Sequence, residues 1–299
     1  MKNNPLVSII VNCCNGEKYL RKCLDSIINQ TFSDFELIFW DNNSKDNSHK
    51  IFQSYKDVRF RYFKSSLQTT LYKARNEAIK KTQGSYICFL DVDDYWLPKK
   101  IEKQIGLFNK KENIDIVYTN QIIYEEEKKI KKNYILKRSN KYSESEKILD
   151  RQGATILTAL FKKTAYHNLD YGFNENYNII GDLDLFFRMS KNSIIEYIDE
   201  PLAVYRLHQN NYSKLNKNEE INELREWYKN IFLKISNNQN EINIIKNAIL
   251  LREIIFMILN QKRIKSISKI LLYKNSILKL KLAMAILIPN FILKRYLKF

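Results

Sequence analysis

The chain has 299 residues, of which 44% are hydrophobic, and carries a formal net charge of +17 at pH 7. This hydrophobic content is enough to bury a core and excludes an intrinsically disordered protein. The positive charge either indicates a polyanionic partner, such as a phosphate-bearing substrate or an anionic lipid, or reflects the base composition of the genome. We expect no nucleic-acid partner, because the body of the chain shows no basic recognition helix, aromatic platform or finger motif.

The first part of the chain alternates apolar and amphipathic segments. The apolar ones, which predict buried strands, are Leu6 to Val11, Phe35 to Trp40, Phe60 to Phe63, Tyr86 to Leu90 and Ile114 to Thr119. The amphipathic ones, which predict helices, are Lys18 to Asn29, Asn47 to Tyr55, Lys73 to Thr82 and a segment opened by Pro98. This alternation predicts an α/β fold, a mostly parallel sheet flanked by helices, with ligands beyond the carboxyl ends of the strands.

The pattern becomes less regular after Thr119. Ile122 to Lys132 predicts an edge hairpin whose charges discourage aggregation. Asp182 to Ser190 is expected to be helical, and Ile194 to Tyr205 extended. After about Lys214 only helices are predicted, over Glu219 to Ile235, Glu241 to Leu259 and Ile264 to Ile288. We therefore expect an α/β domain in residues 1–215 and a helical C-terminal region in residues 216–299.

The cysteines and the N-terminus bear on the compartment. The four cysteines form no Cys-x-x-Cys pair and lie in apolar stretches, at Cys13, Cys14, Cys23 and Cys88. This spacing predicts free thiols in a reducing compartment and argues against a zinc site. No secretory signal and no stretch of about 18 apolar residues is visible. We therefore expect a cytoplasmic location.

The strongest chemical signal is the segment Phe89-Leu90-Asp91-Val92-Asp93-Asp94-Tyr95-Trp96, in which three carboxylates follow a predicted strand. Such clustering is electrostatically unfavourable unless a cation neutralises it. Carboxylate oxygens suit Mg²⁺ or Mn²⁺, especially when the oxygens of a diphosphate complete the coordination shell. The alternative is a solvated loop with helix-capping aspartates.

A second polar turn, Asp41 to Asn43, follows the second predicted strand. A carboxylate there can accept the imide N–H of a uracil or bind a ribose, as acidic residues do in other doubly wound nucleotide sites. The alternative is an ordinary turn rich in Asp and Asn. Both polar turns are expected at the same edge of the sheet.

Several segments of the chain resemble family 2 glycosyltransferases, in the order and at the spacing of that family's motifs across about residues 5 to 110. They are Pro5 to Val11, Asn15 to Leu20, Ser26 to Phe32, Asp41 to Ser48, Ala74-Arg75-Asn76 and Phe89 to Trp96. The resemblance implies the GT-A fold, with nucleotide-sugar binding and catalysis in residues 1–215. It also implies transfer of a sugar, with UDP favoured as the nucleotide, to a hydroxyl of a glycan or lipid-linked acceptor in cell-envelope polysaccharide synthesis.

The resemblance further implies roles in donor binding. Asp41 would hold the nucleobase, and Asp91 the ribose or a second-shell water. Asp93 would bind the Mn²⁺ or Mg²⁺ ion that bridges the diphosphate, while Asp94 would support the metal or cap the next helix. Arg75 would face the donor, with an ion pair that holds the fold as the alternative.

Two later segments extend the resemblance. Asp182 matches the position of the general base, which removes the proton of the acceptor hydroxyl as that oxygen attacks the anomeric carbon. Asp184 is expected to point elsewhere on the helix. Arg206 would help to neutralise the diphosphate, and His208 would bind the metal or the diphosphate. The implied mechanism is a single displacement that inverts the anomeric configuration.

The chain departs from the family pattern in three places. Many relatives carry Asp-Gly where this chain has Asn42-Asn43, and this position bears on nucleotide contacts. Many also carry Glu where this chain has Gly181, directly before the predicted base. Asn12 replaces a proline that is usual after the first strand.

The C-terminal segment from Lys262 to Phe299 contains Lys and Arg but no Asp or Glu. Apolar residues alternate with these cations, as in a basic amphipathic helix that lies on an anionic membrane surface, here the inner face of the cytoplasmic membrane. The alternative is a helix packed on the catalytic domain with a solvated basic face.

Other functions fit the chain less well. A non-catalytic nucleotide-sugar or glycan-binding protein of the same fold is expected to have a broken carboxylate set, but Asp41, Asp91, Asp93 and Asp182 are all present. A nucleotidyltransferase should show a Gly-rich, basic phosphate loop after the first strand, which Asn15-Gly16-Glu17 matches poorly. The sequence therefore favours a metal-dependent hexosyl- or N-acetylhexosaminyltransferase, with the binding protein as the alternative.

Overall fold

The computed structural model describes residues 4–134, 141–260, 263–273, 276–286 and 288. The chain divides into two compact units, Met1–His208 and Gln209–Phe299. The boundary predicted after Leu215 therefore falls inside the second unit. The residues predicted to carry the chemistry all lie in the first unit.

The first unit is built on one sheet of nine strands in the described residues. The strands are β1 Val7–Cys13, β2 Phe35–Asp41, β3 Phe60–Lys64, β4 Tyr86–Phe89, β5 Tyr95–Trp96, β6 Ile116–Glu125, β7 Ile130–Tyr134, β8 Leu160–Lys162 and β9 Ile195–Leu207. Their order is β3-β2-β1-β4-β8-β6-β9-β5, with β7 also paired to β6. The predicted α/β fold is confirmed.

The two halves of the sheet differ in strand direction. The β1–β4 half is parallel throughout, as predicted. In the other half β8 is antiparallel to both β4 and β6, and β5 is antiparallel to β9. The predicted hairpin is present, since β6 and β7 pair from Gln121↔Tyr134 to Glu125↔Ile130.

The helices of the first unit follow the predicted segments, except for the two between residues 144 and 167, which the sequence did not predict. They are α1 Glu17–Ile28, α2 Ser48–Gln53, α3 Leu71–Ile79, α4 Lys100–Lys110, α5 Glu144–Leu149, α6 Lys163–His167 and α7 Gly181–Met189. Helix α4 begins two residues after Pro98, with Lys99 at its N-cap position. The β1 residues Val7, Ile9 and Ile10 are each 0% exposed. Both faces of this strand are therefore covered, which its continuous β-branched sequence predicts.

Strand β9 brings distant residues to the acidic turn. It pairs with β6 along its length, ending at Glu125↔Leu207. It also pairs with β5, through Tyr95↔Val204, directly after Asp94. The last residues of β9 consequently lie between the acidic turn and the tip of the β6–β7 hairpin.

The second unit is helical in its described residues, as predicted. Its helices are α8 Tyr212–Leu215, α9 Lys217–Trp227, α10 Leu233–Ile235, α11 Gln239–Leu259, α12 Arg263–Leu272 and α13 Ser276–Ala285, with a π-helical turn over Tyr228–Phe232. The prediction of one helix over Ile264 to Ile288 is wrong. Tyr273 is non-helical and packs into the core with Ile254 and Ile258, which separates α12 from α13.

Two further expectations concern thiols and membranes. All four cysteines are free, and Cys13, Cys23 and Cys88 are buried while Cys14 is half-buried. Within the described ranges, no helix has both the length and the apolar composition needed to cross a membrane. Residues 262, 274–275, 287 and 289–299 of the basic segment lie outside the described residues.

Candidate active site

The turn that follows β4 has a compact backbone. The backbone N–H of Asp94 donates a hydrogen bond to the backbone carbonyl of Asp91 at 3.0 Å. The start of α1 packs closely against this turn, because a Cβ atom on Gly16 would lie 2.7 Å from a methyl carbon of Val92. The turn therefore lies at the carboxyl edge of the parallel half-sheet, where the sequence predicts the ligand site.

Arg75 on α3 holds one side of the turn. Its Nη2 donates to Asp91 Oδ1 at 2.6 Å, and its side chain is 2% exposed whereas that of Asp91 is 34% exposed. The guanidinium lies 5.3 to 5.6 Å from the ring centroids of Tyr72, Phe89 and Phe173. The structure thus shows the ion pair that the sequence left as the alternative, while a donor contact by Arg75 stays a prediction.

The charge of Arg75 is sustained by its neighbours. Burial alone lowers the pKa of this guanidinium, but Asp91 and Asp182 raise it above its usual value. The Nε atom of Arg75 has no hydrogen-bond partner among the described residues. One buried cation therefore interacts electrostatically with two of the predicted site carboxylates.

Asp93 lies on the other side of the turn, against His208. Asp93 Oδ2 and His208 Nε2 are 3.0 Å apart, with the two side chains 27% and 8% exposed. The ring of Tyr19 packs on that of His208, with centroids 5.0 Å apart. The two residues predicted from the resemblance as metal ligands are thus adjacent, although 115 positions separate them in the sequence.

The two atoms fit a shared divalent ion. Neighbouring ligands of an octahedral ion lie about 3 Å apart when each metal–ligand bond is about 2.1 Å. No group of three or more His, Cys, Asp or Glu side chains suited to a metal occurs in the part of the chain described. The protein would thus supply two ligands, as is common where substrate phosphates and waters complete the shell.

Asp94 forms a buried hydrogen bond to the end of β9, and its predicted support of the metal stays a prediction. It is 2% exposed, and its Oδ1 accepts the backbone N–H of Arg206 at 2.7 Å. Because α4 begins at Lys100 with Lys99 as its N-cap, the prediction that Asp94 caps this helix is wrong. Burial and the neighbouring Asp93 raise the pKa of Asp94 well above its usual value. This carboxyl group instead attaches β9 to the turn.

Arg206 extends from β9 across the back of the turn. Its Nε donates to the carbonyl of Asp93 at 2.8 Å. Its guanidinium lies over three aromatic rings, at 4.8 Å from Tyr19, 5.7 Å from Tyr95 and 5.4 Å from Tyr124. Arg206, which the resemblance predicts to contact the diphosphate, is therefore hydrogen-bonded to the backbone of Asp93, a predicted metal ligand.

Asp182 lies in the first turn of α7 and is half-buried. Its Oδ1 accepts the N–H of Leu183 at 2.9 Å, and the hydroxyl of Tyr72 lies 3.5 Å away. Burial raises the pKa of this carboxyl group, and the nearby Arg75 partly opposes the rise. Asp182 and Asp91 thus flank the same helix, α3.

Gly181 explains one departure from the family pattern. A Cβ atom at this position would lie 2.6 Å from ring carbons of Tyr72. The Tyr72 hydroxyl is held by the carbonyl of Ile179 at 2.9 Å, so the ring cannot easily move away. The tyrosine occupies the space that a glutamate would need before the predicted base.

Asp184 points away from Asp182, as predicted. It is 0% exposed, and its Oδ2 accepts from Arg188 Nε at 3.1 Å and from Nη2 at 2.8 Å. Arg188 also donates to the carbonyls of Tyr171 and Gly172. This pair joins α7 to the preceding loop, so Asp184 is a structural carboxylate.

Asp41 is fully buried, and both of its carboxylate oxygens accept hydrogen bonds from the protein. It is 0% exposed; Oδ1 accepts the N–H of Ser44 at 2.7 Å and Oδ2 accepts the hydroxyl of Tyr62 at 2.5 Å. Asn43 has a φ of 63°, in the left-handed region. That conformation favours glycine and next asparagine, which explains how Asn43 replaces the family's glycine. The nucleobase contact of Asp41 stays a prediction.

Three residues near the predicted site were not identified from the sequence. They are Tyr19, whose ring contacts both His208 and Arg206; Tyr72, which lies beside Asp182; and Glu126, which accepts a hydrogen bond from the Tyr19 hydroxyl at 2.8 Å. Tyr19 does lie in a segment that carries the family resemblance. Glu126 belongs to a run of three glutamates at the hairpin tip, but no local pattern shows which residues it faces.

The comparisons with known proteins agree with this geometry. The family described as glycosyl transferase family 2 matches residues 8–169. An uncharacterized glycosyltransferase of Rickettsia typhi is 33% identical, over 75% of this chain and 72% of the relative. The UDP-Glc:alpha-D-GlcNAc-diphosphoundecaprenol beta-1,3-glucosyltransferase of Escherichia coli is 29% identical, over 74% of this chain and 84% of the relative.

Solved structures show the same fold. A mannosyltransferase from Pyrobaculum calidifontis, in complex with GDP-Man and Mn²⁺, superposes with a TM-score of 0.60 at 14% identity. The match covers 82% of this chain and 69% of that one. This likeness confirms the predicted GT-A fold.

Proposed function

Because the chain belongs to glycosyl transferase family 2, we propose that it is an inverting, metal-dependent hexosyl- or N-acetylhexosaminyltransferase. It moves the sugar of a nucleotide-sugar, with UDP as the nucleotide, to a hydroxyl of a lipid-linked glycan. One observation carries the proposal above all: the 3.0 Å contact that β9 creates between His208 and Asp93. Two ligand atoms of the right chemistry thereby meet at the sheet edge where nucleotides bind.

Asp93 and His208 would hold Mn²⁺ or Mg²⁺, and the donor diphosphate and water would complete its shell. When bound, the ion offsets the negative charge that develops on the departing diphosphate. The structure of the P. calidifontis relative contains Mn²⁺, which supports this assignment. Arg206 lies beside Asp93 and would add a second, permanent positive charge.

The remaining donor contacts follow from the placement of the carboxylates. Asp91 keeps one-third of its side chain exposed despite the ion pair with Arg75, so it can bind a ribose hydroxyl. Arg75 then acts on the donor through Asp91. Asp41 reaches the nucleobase only if its bond with Tyr62 is exchanged for a bond to the base. The E. coli relative uses UDP-Glc by name, which supports UDP.

Asp182 would take the proton of the acceptor hydroxyl while that oxygen attacks the anomeric carbon from the face opposite the diphosphate. The bond from the new oxygen to carbon forms as the carbon–diphosphate bond breaks, so the configuration inverts. The raised pKa of Asp182 suits this role, because a more basic carboxylate takes a proton more readily.

The acceptor and the membrane belong to the same proposal. The E. coli relative acts on a diphosphoundecaprenol-linked sugar by name. In the second unit, α12 exposes Ile264, Ile267, Leu271 and Leu272 between 45% and 84%. We assign this helix to the anionic inner face of the cytoplasmic membrane. Sedimentation with anionic but not neutral vesicles, weakened by Leu271→Asp, is the expected result.

The donor proposal is tested with purified protein and a panel of UDP-, GDP- and dTDP-sugars, with Mn²⁺ or with chelator. We expect metal-dependent release of one nucleotide, lost in Asp93→Asn and kept in Asp34→Asn. Asp34 is a matched control because it is exposed and precedes β2, at the opposite edge of the sheet. Metal-dependent binding without turnover, even with acceptor, would favour the binding-protein alternative. Absence of metal-dependent binding would refute the donor site.

A further inference from the structure

An open cleft of about 470 Å³ lies behind the acidic turn, bounded by α1, β5, the β6–β7 hairpin and the end of β9. Its volume is in the range of small-molecule sites. Its walls combine aromatic rings and cations, among them Tyr19, Tyr95, Tyr124, Lys22, Lys131 and Arg206. We refer to it as the tyrosine cleft.

The tyrosine cleft carries an excess of positive charge. Among the described residues four cations line it, since Lys18 joins the three above, and Glu126 is the one acidic lining residue, which leaves a formal charge of +3 (4 − 1). Lys22 lies 5.0 Å from the ring centroid of Tyr95. Neither Lys22 nor Lys131 has an acidic partner among the described residues. Cations that converge in this way repel one another unless an anion binds between them.

Glu126 shows that the wall of the cleft accepts an anionic oxygen. Its carboxylate accepts hydrogen bonds from the Tyr19 hydroxyl at 2.8 Å and from the ammonium of Lys18 at 3.2 Å. The carboxylate also lies 3.7 Å from Arg206 Nη1. Glu126 therefore already offsets the positive charges of Lys18 and Arg206 and accepts from the Tyr19 hydroxyl. Lys22 and Lys131 remain to bind an anion that comes from outside the chain.

The cleft adjoins the candidate active site through Tyr19 and Arg206. The Tyr19 ring lies between the two, packed on His208 and 4.8 Å from the guanidinium of Arg206. Arg206 in turn donates to the carbonyl of Asp93. An anionic group in the cleft would thus be separated from the proposed donor diphosphate by the side chains of Tyr19 and Arg206.

We propose that the tyrosine cleft binds the diphosphate of a sugar-diphosphate acceptor, with Lys22 and Lys131 on the diphosphate and the tyrosines against the sugar. The inference rests on the proposed function, because it takes the acceptor to be a phosphate-linked sugar. A diphosphate carries the charge that the cleft lacks, and aromatic walls with a few polar groups are typical of sites for ligands of this size.

The test is a direct binding measurement with two probes, octyl α-GlcNAc diphosphate and neutral octyl α-GlcNAc. We expect the diphosphate probe to bind at least about tenfold more tightly than the neutral one. The double variant Lys22→Ala/Lys131→Ala should lose about tenfold in affinity for the diphosphate probe alone. This loss should shrink at high ionic strength, because salt screens exposed charges.

The matched control is Lys56→Ala/Lys110→Ala, which removes two exposed lysines that precede β3 and β6, at the other edge of the sheet. It should bind both probes as the wild type does. Binding of UDP with Mn²⁺ reports on folding and on the donor site. Lys131→Glu alone is a second variant, at an exposed position of β7. Probe binding does not require turnover. A protein without transferase activity whose lysine variants still lose affinity for the diphosphate probe would therefore refute the proposed function but not the anion site in the cleft.

Two outcomes would overturn the assignment. If the double variant lost affinity for UDP as much as for the diphosphate probe, the cleft would belong to the donor. If it and Lys131→Glu bound the diphosphate probe as tightly as the wild type, the cleft would not be an anion site.

Discussion

The two sides of the acidic turn are built differently. On one side Asp91 is paired with Arg75, a permanent cation whose side chain is 2% exposed and surrounded by aromatic rings. On the other side Asp93 is paired with His208, which is charged only if protonated. A buried guanidinium cannot lose its partner without a large cost. A neutral imidazole can exchange a carboxylate for a metal ion.

We call the side with Asp91 and Arg75 the fixed side of the turn, and the side with Asp93 and His208 the available side. Arg75 fixes the turn to α3, and through α3 to the region of Asp182. The pair of Asp93 and His208 presents oxygen and nitrogen atoms at the spacing of two metal ligands. Substitutions on the fixed side should therefore affect folding, and substitutions on the available side should affect ligand binding.

The largest expected effect belongs to Asp182. Asp182→Asn keeps the shape of the side chain but removes the proton acceptor, so we expect the transfer rate to fall by about 10²–10⁴-fold. The melting temperature should change little. Asp184→Asn is the matched control on the same helix: it leaves Arg188 without a carboxylate and should destabilise the fold by about 3–5 kcal/mol. Rate assays and thermal unfolding measure both, and an active Asp182→Asn enzyme would rule out this base.

Asp91 and Asp93 provide a direct test of the fixed and available sides. Asp91→Asn leaves the buried Arg75 without its counter-charge, and should cost about 3 kcal/mol in the free energy of unfolding, at the low end because Asp91 is partly hydrated. Asp93→Asn should cost less than about 1 kcal/mol, because Asp93 is partly hydrated and an asparagine amide oxygen can still accept a hydrogen bond from His208. Urea unfolding of the two variants measures this contrast. Equal losses would mean that the two sides are not different.

The sequence predicted the part of the site that local patterns encode. Strands β1 to β4 are each marked by a short apolar run, and the polar turns after β2 and β4 follow those runs directly in the sequence. The edge of the sheet follows, because carboxyl ends of parallel strands meet there. The family resemblance added Asp182 and His208, which patterning alone does not select.

The remainder depends on contacts between distant residues. Asp94 holds the backbone of Arg206, which is 112 residues away, and Tyr19 reaches Glu126 across 107 residues. The pairing register of β9 sets these contacts, and no local pattern specifies a long-range register. The break in the helix at Tyr273 was not predicted either. The apolar pattern continues through Tyr273, and the break depends on packing against residues distant in sequence.

A smaller effect is expected on the available side at His208. His208→Gln removes a nitrogen ligand and should weaken Mn²⁺ binding in the presence of UDP by at least about tenfold. The free energy of unfolding should stay close to that of the wild type, because Asp93 is partly hydrated. His167→Gln, at an exposed histidine, is the control. Calorimetric titration measures the affinity, and wild-type affinity in His208→Gln would exclude this ligand.

The smallest expected effect concerns the pH dependence. Burial raises the pKa of Asp182 above its usual 3.8, Asp91 raises it further, and Arg75, the N–H of Leu183 and Arg151 lower it. A general base works only when deprotonated, so activity should fall as the pH falls through this raised pKa.

Arg151→Gln removes one of the groups that lower the pKa, and should therefore move the acidic limb of the kcat profile to higher pH. Arg21→Gln removes an exposed arginine on α1 that is not among the groups acting on Asp182, and should leave the limb in place. A limb that moves to lower pH in Arg151→Gln would show that another group limits the rate. Because Arg151 lowers the pKa of Asp182 through its charge, high salt should reduce the shift, whereas a shift caused by a change in the shape of the site would not depend on salt.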